Sequence, residues 1–188
     1  MDSPLIFFAI QFAAAAHSGQ YRKGTRVPYL IHPMRAAATL LDAGCSETLA
    51  VAAILHDTVE DCSVTYGQIR SLFGEQVEEL VRGASEPDRA ATWEERKQHT
   101  IDLLRSANED LLLVAIADKI DNIRSIREDF ALRGETAWTR FKRGREQQHW
   151  YYESLAGVFL DRLHQEPGAR LAALFAAEVR AVFGMEHP

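Results

Sequence analysis

His56 and Asp57 are neighbours at the end of an apolar stretch, residues 49–55. Imidazole and carboxylate are strongly hydrated, and burying them is costly unless each finds a partner. Solvent at a helix end is one such partner, and a metal ion is another. Three further features favour the ion. His32 lies in Tyr29-Leu30-Ile31-His32-Pro33, just ahead of a helical pattern. Asp118 lies in Ala115-Ile116-Ala117-Asp118-Lys119, inside an apolar segment where an acid is out of place. Glu60 and Asp61 follow the His-Asp pair by one helical turn. Two histidines and two aspartates offer nitrogen and oxygen donors without thiolate. That set suits Mn2+, Fe2+ or Zn2+ with positions open to water, rather than a closed structural zinc site. Asp57 and Asp61 are spaced i, i+4, as are His56 and Glu60, so one helix end can present ligands and acid–base carboxylates to one cavity.

These residues need helices to position them, and the pattern is helical almost throughout. Pro4 opens a first helix, with Ser3 as its cap and Leu5, Phe8, Phe12 and Ala16 on one face. A short helix covers 34–43 and stops at Gly44. Ser46 caps a helix over 47–57 that is apolar nearly all round, the mark of a central element. Thr65 with Gln68, and Thr92 with Glu95, are capping boxes; they open helices ending near Gly74 and Ala107. Residues 75–82 follow with an apolar side, and 83–91 read as a loop. Helices are expected over 109–128, over 135–163 as one long element bent at Gly144, and over 167–183. No sustained period-two alternation predicts a strand. The expectation is a single all-α domain, 1–188, of about eight helices, its main part near 5–160.

The chain is 188 residues long, which suits about one domain. Twenty-one Lys and Arg against 27 Asp and Glu give a net charge of -6, so the broad basic field of a nucleic-acid binder is lacking. Local basic clusters still suit one phosphorylated small molecule. Cys45 and Cys62 cannot build a disulfide framework and read as packed thiols in a reducing compartment. No apolar run reaches the roughly 18 residues of a membrane span. The apolar stretch 5–16 has Asp2 before it, no positive charge and Gln11 inside it, so it reads as a helix rather than a secretion signal. The expected location is cytoplasmic, without a membrane or nucleic-acid partner.

At this point the chain resembles a known family. His32, His56-Asp57 and Asp118 match the H…HD…D pattern of the HD-superfamily metal phosphohydrolases. The stretches Ala16-His-Ser-Gly-Gln-Tyr-Arg-Lys-Gly24, Val27-Pro-Tyr-Leu-Ile-His-Pro33 and Leu55-His-Asp-Thr-Val-Glu-Asp61 are similar to the alarmone hydrolases, the guanosine 3′,5′-bis(diphosphate) 3′-pyrophosphohydrolases. Phe73-Gly74, Glu95-Arg-Lys97 and Ala117-Asp-Lys-Ile-Asp-Asn122 continue the similarity. The resemblance implies an HD-type fold and His32, His56, Asp57 and Asp118 as metal ligands, with Mn2+ as the usual ion and another divalent metal as the alternative. It implies Glu60 and Asp61 as the catalytic pair serving the hydrolytic water. It places Arg22 and Lys23 against the guanine base and nearby phosphates, Lys97 near the phosphates and Asn122 at the nucleotide sugar. It implies a small nucleotide as substrate; 188 residues leave no room for the synthetase or regulatory domains of the long enzymes, so hydrolase activity alone is expected, and several apolar helices in a small domain leave monomer and homodimer both open.

The chain departs from the family pattern at Cys62, where Thr is common, and at Asp121, where His or Tyr is commoner. The stretch from Arg22-Lys23-Gly24 to Pro28 is also shorter than in some relatives. Asp121 adds negative charge near the expected nucleotide site. It keeps open a second substrate, such as NADPH or a nucleoside phosphate. A catalytically silent nucleotide sensor is the rival of another class; it would need neither Glu60 nor Asp61. Arg140, Lys142, Arg143 and Arg145 read as a surface face with one cation in reach of a phosphate. His149-Trp150-Tyr151-Tyr152 reads as core with one residue lining the pocket, and His17 and Tyr29 as packing beside the metal site.

Overall fold

The structure, a computed structural model, describes residues 4–85 and 90–184. Its helices are α1 (Pro4–Ala16), α2 (Ile31–Asp42), α3 (Glu47–Leu55), α4 (Thr58–Asp61), α5 (Tyr66–Phe73), α6 (Glu75–Ala84), α7 (Trp93–Ser106), α8 (Glu109–Arg133), α9 (Arg145–Arg162) and α10 (Gly168–Phe183). A 3-10 segment, Gly134–Arg140, joins α8 to α9. Among the described residues the extended pairing is limited to an isolated antiparallel bridge between Tyr21 and Pro28. The all-α expectation holds. Among the same residues no helix is long and apolar enough to cross a membrane.

Helix α3 is the centre, as its all-round apolar pattern predicts. Every residue from Leu49 to Leu55 is buried, and α1, α2, α6 and α8 pack against it. Burying each large aliphatic side chain contributes roughly 1.5–3 kcal/mol. The Ser46 side chain accepts from the Leu49 N–H at the start of α3. Both expected capping boxes form, at Thr65 with Gln68 and at Thr92 with Glu95.

Helix α1 turns a different face inward from the one expected. Ala9 and Ala13 are buried, and their small side chains let α1 approach α3 closely. Phe8 is instead 40% exposed and stacks on Phe73 at 5.0 Å between centroids, with Phe12 edge-on to the same ring at 5.4 Å. The cap assigned to Ser3 lies outside the described residues. The loop expected from residue 83 starts after α6, and residues 86–89 also lie outside them.

The long helix expected over 135–163 is not one element. Helix α8 runs on to Arg133, where an i, i+4 ion pair joins Arg133 to Asp129 at 2.9 Å. Gly134 then takes φ +57°, a left-handed backbone that L side chains resist, and ends the helix. The hydroxyls of Thr136 and Thr139 donate to the Arg133 and Thr136 carbonyls, local bonds that compete with α-helix. Buried Trp138 seats the segment among Phe130, Phe141 and Phe183. Helix α9 begins afresh after Gly144. The core continues past residue 160 into α10, where Phe175, Val179 and Val182 are buried. Glu178 of α10 is buried as well, and pairs with Arg124 at 3.0 Å and Arg127 at 2.7 Å on α8.

Candidate metal and active site

Three elements deliver the four expected ligands. His32 sits in the first turn of α2, its N–H donating to the Tyr29 carbonyl at 2.9 Å. His56 and Asp57 occupy the turn between α3 and α4. The Thr58 hydroxyl ties that turn to the Leu55 carbonyl at 2.7 Å, and the Asp61 N–H donates to the Asp57 carbonyl at 2.8 Å. Helix α3 thus ends at Leu55, two residues before the expected end, and the pair forms the turn that leads into α4. Asp118, Asp121 and Asn122 share one face of α8, spaced i, i+3, i+4.

The side chains converge. Asp57 Oδ2 lies 3.0 Å from His56 Nε2 and 3.6 Å from His32 Nε2. Asp118 Oδ1 lies 3.1 Å from His32 Nε2 and 3.8 Å from His56 Nε2. One ligand atom each from His32, His56 and Asp118 falls within 4.8 Å of the others. Both Nδ1 atoms are already committed. His32 Nδ1 donates to Asp121 Oδ2 at 2.7 Å, and His56 Nδ1 donates to the Ala53 carbonyl at 2.7 Å. Those acceptors keep the proton on Nδ1 and leave Nε2 free to ligate.

The carboxylates are held as firmly. Tyr29 donates to Asp57 Oδ2 at 2.6 Å. Lys119 meets Asp118 Oδ2 at 2.6 Å, and Asn122 Nδ2 donates to Asp118 Oδ1 at 2.5 Å. His17 packs on Tyr29, ring centroids 4.9 Å apart, and does not reach into the cluster. The Cys62 sulfur instead lies 3.3 Å from His17 Nδ1, so the convergent donors are nitrogen and oxygen alone.

Electrostatics show what the cluster wants. Burial alone would depress both imidazoles, but Asp118 and Asp121 hold His32 above its ordinary value. Asp57 and Asp118 likewise outweigh burial and push His56 up to about 9. Burial also resists charge on the acids, yet His56 holds the Asp57 carboxyl well below the usual range. Lys119 does the same for Asp118, whose charge keeps the buried ammonium protonated. The Tyr29 phenol is pushed up by burial and by Asp57, so it stays a donor. The centre of the cluster thus favours positive charge, and its mixed N and O donors fit a divalent cation.

The residues expected to meet substrate are placed as follows. Arg22 and Lys23 ride a tight turn in which the Arg22 N–H donates to the Val27 carbonyl at 2.9 Å. Gly24 makes that turn at φ +75°. A cavity of about 190 Å³ is lined by Arg22, Lys23, Tyr29, Asn122 and Tyr152. A second, of about 230 Å³, reaches His32, Arg35 and Asp121; the two share Arg22, Ser125 and Arg140. Arg22 donates to Asn122 Oδ1 at 3.1 Å. Lys97 stands 5.0 Å from the Tyr151 ring, one tyrosine removed from Tyr152. Glu60 and Asp61 lie on α4 and line an open depression with Gln20 and Cys62. Gln20 Nε2 donates to the Asp61 carbonyl at 3.1 Å.

Lys119 and Arg35 have roles that the motifs do not single out; the signal for Lys119 is its place next to Asp118. Asp121 lines the second cavity, and its charge is paired there. It is buried against His32, with Arg22 at 3.6 Å and Arg35 at 3.7 Å. Within the basic cluster, Arg143 pairs with Glu94 and Arg145 with Glu135. Arg140 is the member that lines the cavities.

Comparison with known proteins agrees with this architecture. The HD domain matches residues 9–147. Guanosine-3′,5′-bis(diphosphate) 3′-pyrophosphohydrolase MESH1 of Xenopus tropicalis is 35% identical over 129 residues, covering 67% of this chain and 72% of that protein. The guanosine-3′,5′-bis(diphosphate) 3′-pyrophosphohydrolase of Aquifex aeolicus is 35% identical over 120 residues. That match covers 63% of this chain and 17% of the relative, so this chain spans only a small part of that protein. A solved metazoan orthologue of SpoT, described as hydrolysing ppGpp, superposes with a TM-score of 0.77 at 26% identity, over 96% of each chain. The chain therefore belongs to the HD-domain family, and a protein named as the MESH1 pyrophosphohydrolase is among its relatives.

Proposed function

We propose that this chain hydrolyses guanosine 3′,5′-bis(diphosphate), removing the 3′ diphosphate as pyrophosphate and leaving GDP, with Mn2+ held by His32, His56, Asp57 and Asp118. The observation that carries the reading is the pair of Nε2 atoms facing two aspartates, each imidazole fixed from behind through Nδ1. The relatives' names supply the substrate class. A divalent ion bound there supplies a lowered water pKa and a polarised phosphoryl oxygen.

The chain's own residues supply the rest. Glu60 and Asp61 orient the attacking water and take its proton. Arg22 and Lys97 meet the negative charge of the leaving diphosphate, while Arg22 and Lys23 lie along the base and its phosphates. Asn122 meets the sugar and, through its bond to Asp118, keeps that contact in register with the cluster. Water adds to the phosphorus next to the ribose 3′-oxygen, the bond between them breaks, and the 3′-oxygen leaves with a proton. The protein acts in the cytoplasm as a monomer or homodimer on this small nucleotide, without nucleic acid or membrane.

The test is incubation of purified protein and Mn2+ with ppGpp, NADPH or simple nucleoside phosphates in parallel, products resolved by anion-exchange chromatography. GDP and pyrophosphate from ppGpp, absent with Asp57→Ala, is the expected result. Turnover of NADPH or a nucleoside phosphate alone would replace the substrate. Binding of ppGpp without turnover would make the chain a sensor.

A further inference from the structure

Asp121 is a buried carboxylate with three cationic or protonated neighbours on two other segments, His32 and Arg35 on α2 and Arg22 on the turn after α1. Its Oδ2 lies 2.7 Å from His32 Nδ1 and 3.6 Å from the Arg22 guanidinium, and its Oδ1 lies 3.7 Å from Arg35. Burying an acid this way is costly unless its lone pairs are used. Here one oxygen, Oδ2, faces both the metal cluster through His32 and the substrate turn through Arg22, while Oδ1 faces Arg35.

We propose that Asp121 is a positioning residue: it fixes the tautomer and ring orientation of His32 and, by holding Arg22 as well, ties the metal cluster to the side chain that reads the substrate. The proposal deepens, and rests on, the metal-site reading above. A neutral imidazole carries one proton, on either nitrogen. A carboxylate oxygen accepts, so Asp121 keeps a proton on Nδ1 and turns Nε2 toward Asp57 and Asp118, where a cation would be held between them. His56 receives the same service from a backbone carbonyl, Ala53, which is linked to nothing else in the site by its side chain. The two histidines therefore differ, and only the orienting group of His32 also holds Arg22.

A second arm closes the link. Arg22 donates to Asn122 Oδ1 at 3.1 Å, and Asn122 Nδ2 donates to Asp118 Oδ1 at 2.5 Å. One guanidinium thus touches two side chains, each of which holds a different ligand of the cluster. Asp121 and Asn122 are adjacent on α8, so a shift of Arg22 toward a substrate phosphate is felt at both.

The experiment is a Mn2+ titration of chelator-stripped full-length protein, free Mn2+ being counted by electron paramagnetic resonance. Wild type, Asp121→Ala, Asp121→Asn, Arg22→Ala and Asp121→Ala with Arg22→Ala are compared, and folding is checked by circular dichroism. Loss of such an outer partner costs about 10–100-fold in metal affinity, expected for Asp121→Ala. Asp121→Asn keeps the volume and can still accept, so a loss of about 3–10-fold is expected. Arg22→Ala removes a positive charge and on charge alone would tighten Mn2+; the proposal expects weaker binding. The double variant is expected to lose less than the product of the two single losses, because the arm through Asp121 is shared. At saturating Mn2+, kcat of Asp121→Asn is expected to recover while KM stays raised. Asp121 variants that bind Mn2+ within twofold of wild type overturn the proposal. If Asp121→Ala does not fold, Asp121→Asn decides by the same criterion. A wild-type protein that takes up no Mn2+ instead overturns the metal reading on which the proposal stands.

Discussion

The Arg22 guanidinium donates to the Asn122 amide oxygen at 3.1 Å across a hundred residues of chain. This contact joins the turn after α1 to the face of α8 that carries Asp118. It puts a cation at the boundary of two cavities, beside the cluster but outside it. A substrate phosphate entering either cavity meets Arg22.

Replacing Arg22 by Ala is therefore expected to act mainly on substrate binding. A charged hydrogen bond to phosphate contributes roughly 1.5–3 kcal/mol, so KM for ppGpp is expected to rise about 10–100-fold. The fall in kcat is expected to be smaller. Steady-state kinetics at saturating Mn2+ measure both, and an unchanged KM would remove Arg22 from the substrate site.

The metal-free protein carries a pH signature. His56 is raised in the fold from its ordinary 6.5 to about 9, chiefly because Asp57 outweighs the effect of burial. A raised value means the folded state holds the proton more tightly than the unfolded one. That stabilisation is fully present below about 6.5 and is lost as pH rises through about 9. Its size is on the order of 3 kcal/mol. Thermal melts in chelator are expected to show Tm falling by several degrees between those limits. A Tm that stays level or rises would contradict the assigned pairing. Mn2+ needs the neutral Nε2, so its affinity is expected to rise with pH over the same window and then level off.

Leu55 ends α3 immediately before His56 and is completely buried. Leu55→Ala leaves a cavity in the core at the end of α3 and is expected to cost about 2–5 kcal/mol of stability. Urea denaturation checks this. A loss below about 1 kcal/mol would mean that α3 does not anchor the His-Asp turn as described.

Much of this molecule is readable from local sequence, and what is not has a physical cause. The capping boxes at Thr65 and Thr92 and the apolar run 49–55 are local signals, and each appears where expected. The four-residue set His32, His56, Asp57 and Asp118 stands out because acids and imidazoles are misplaced in apolar surroundings. The break after Arg133 is less visible. Glu135 to Arg140 has acceptable helix formers, and its 3-10 path is set by Gly134 and by the tertiary seat of Trp138. The inward face of α1 follows from how closely Ala9 and Ala13 let it approach α3, which hydrophobicity alone misreads in favour of Phe8. The pairing of Asp121 with His32 has no local signal, because the two lie 89 residues apart in the chain.

The most direct test of the central account is metal dependence at the four-residue cluster. Protein stripped with chelator and dialysed is assayed for release of pyrophosphate from ppGpp, before and after Mn2+ is restored. Wild type and Asp118→Asn are run together. No release is expected from stripped protein, with recovery on adding Mn2+ to wild type and no recovery for Asp118→Asn at the same Mn2+ concentration. Full activity in stripped wild type, or equal recovery in the variant, would contradict it.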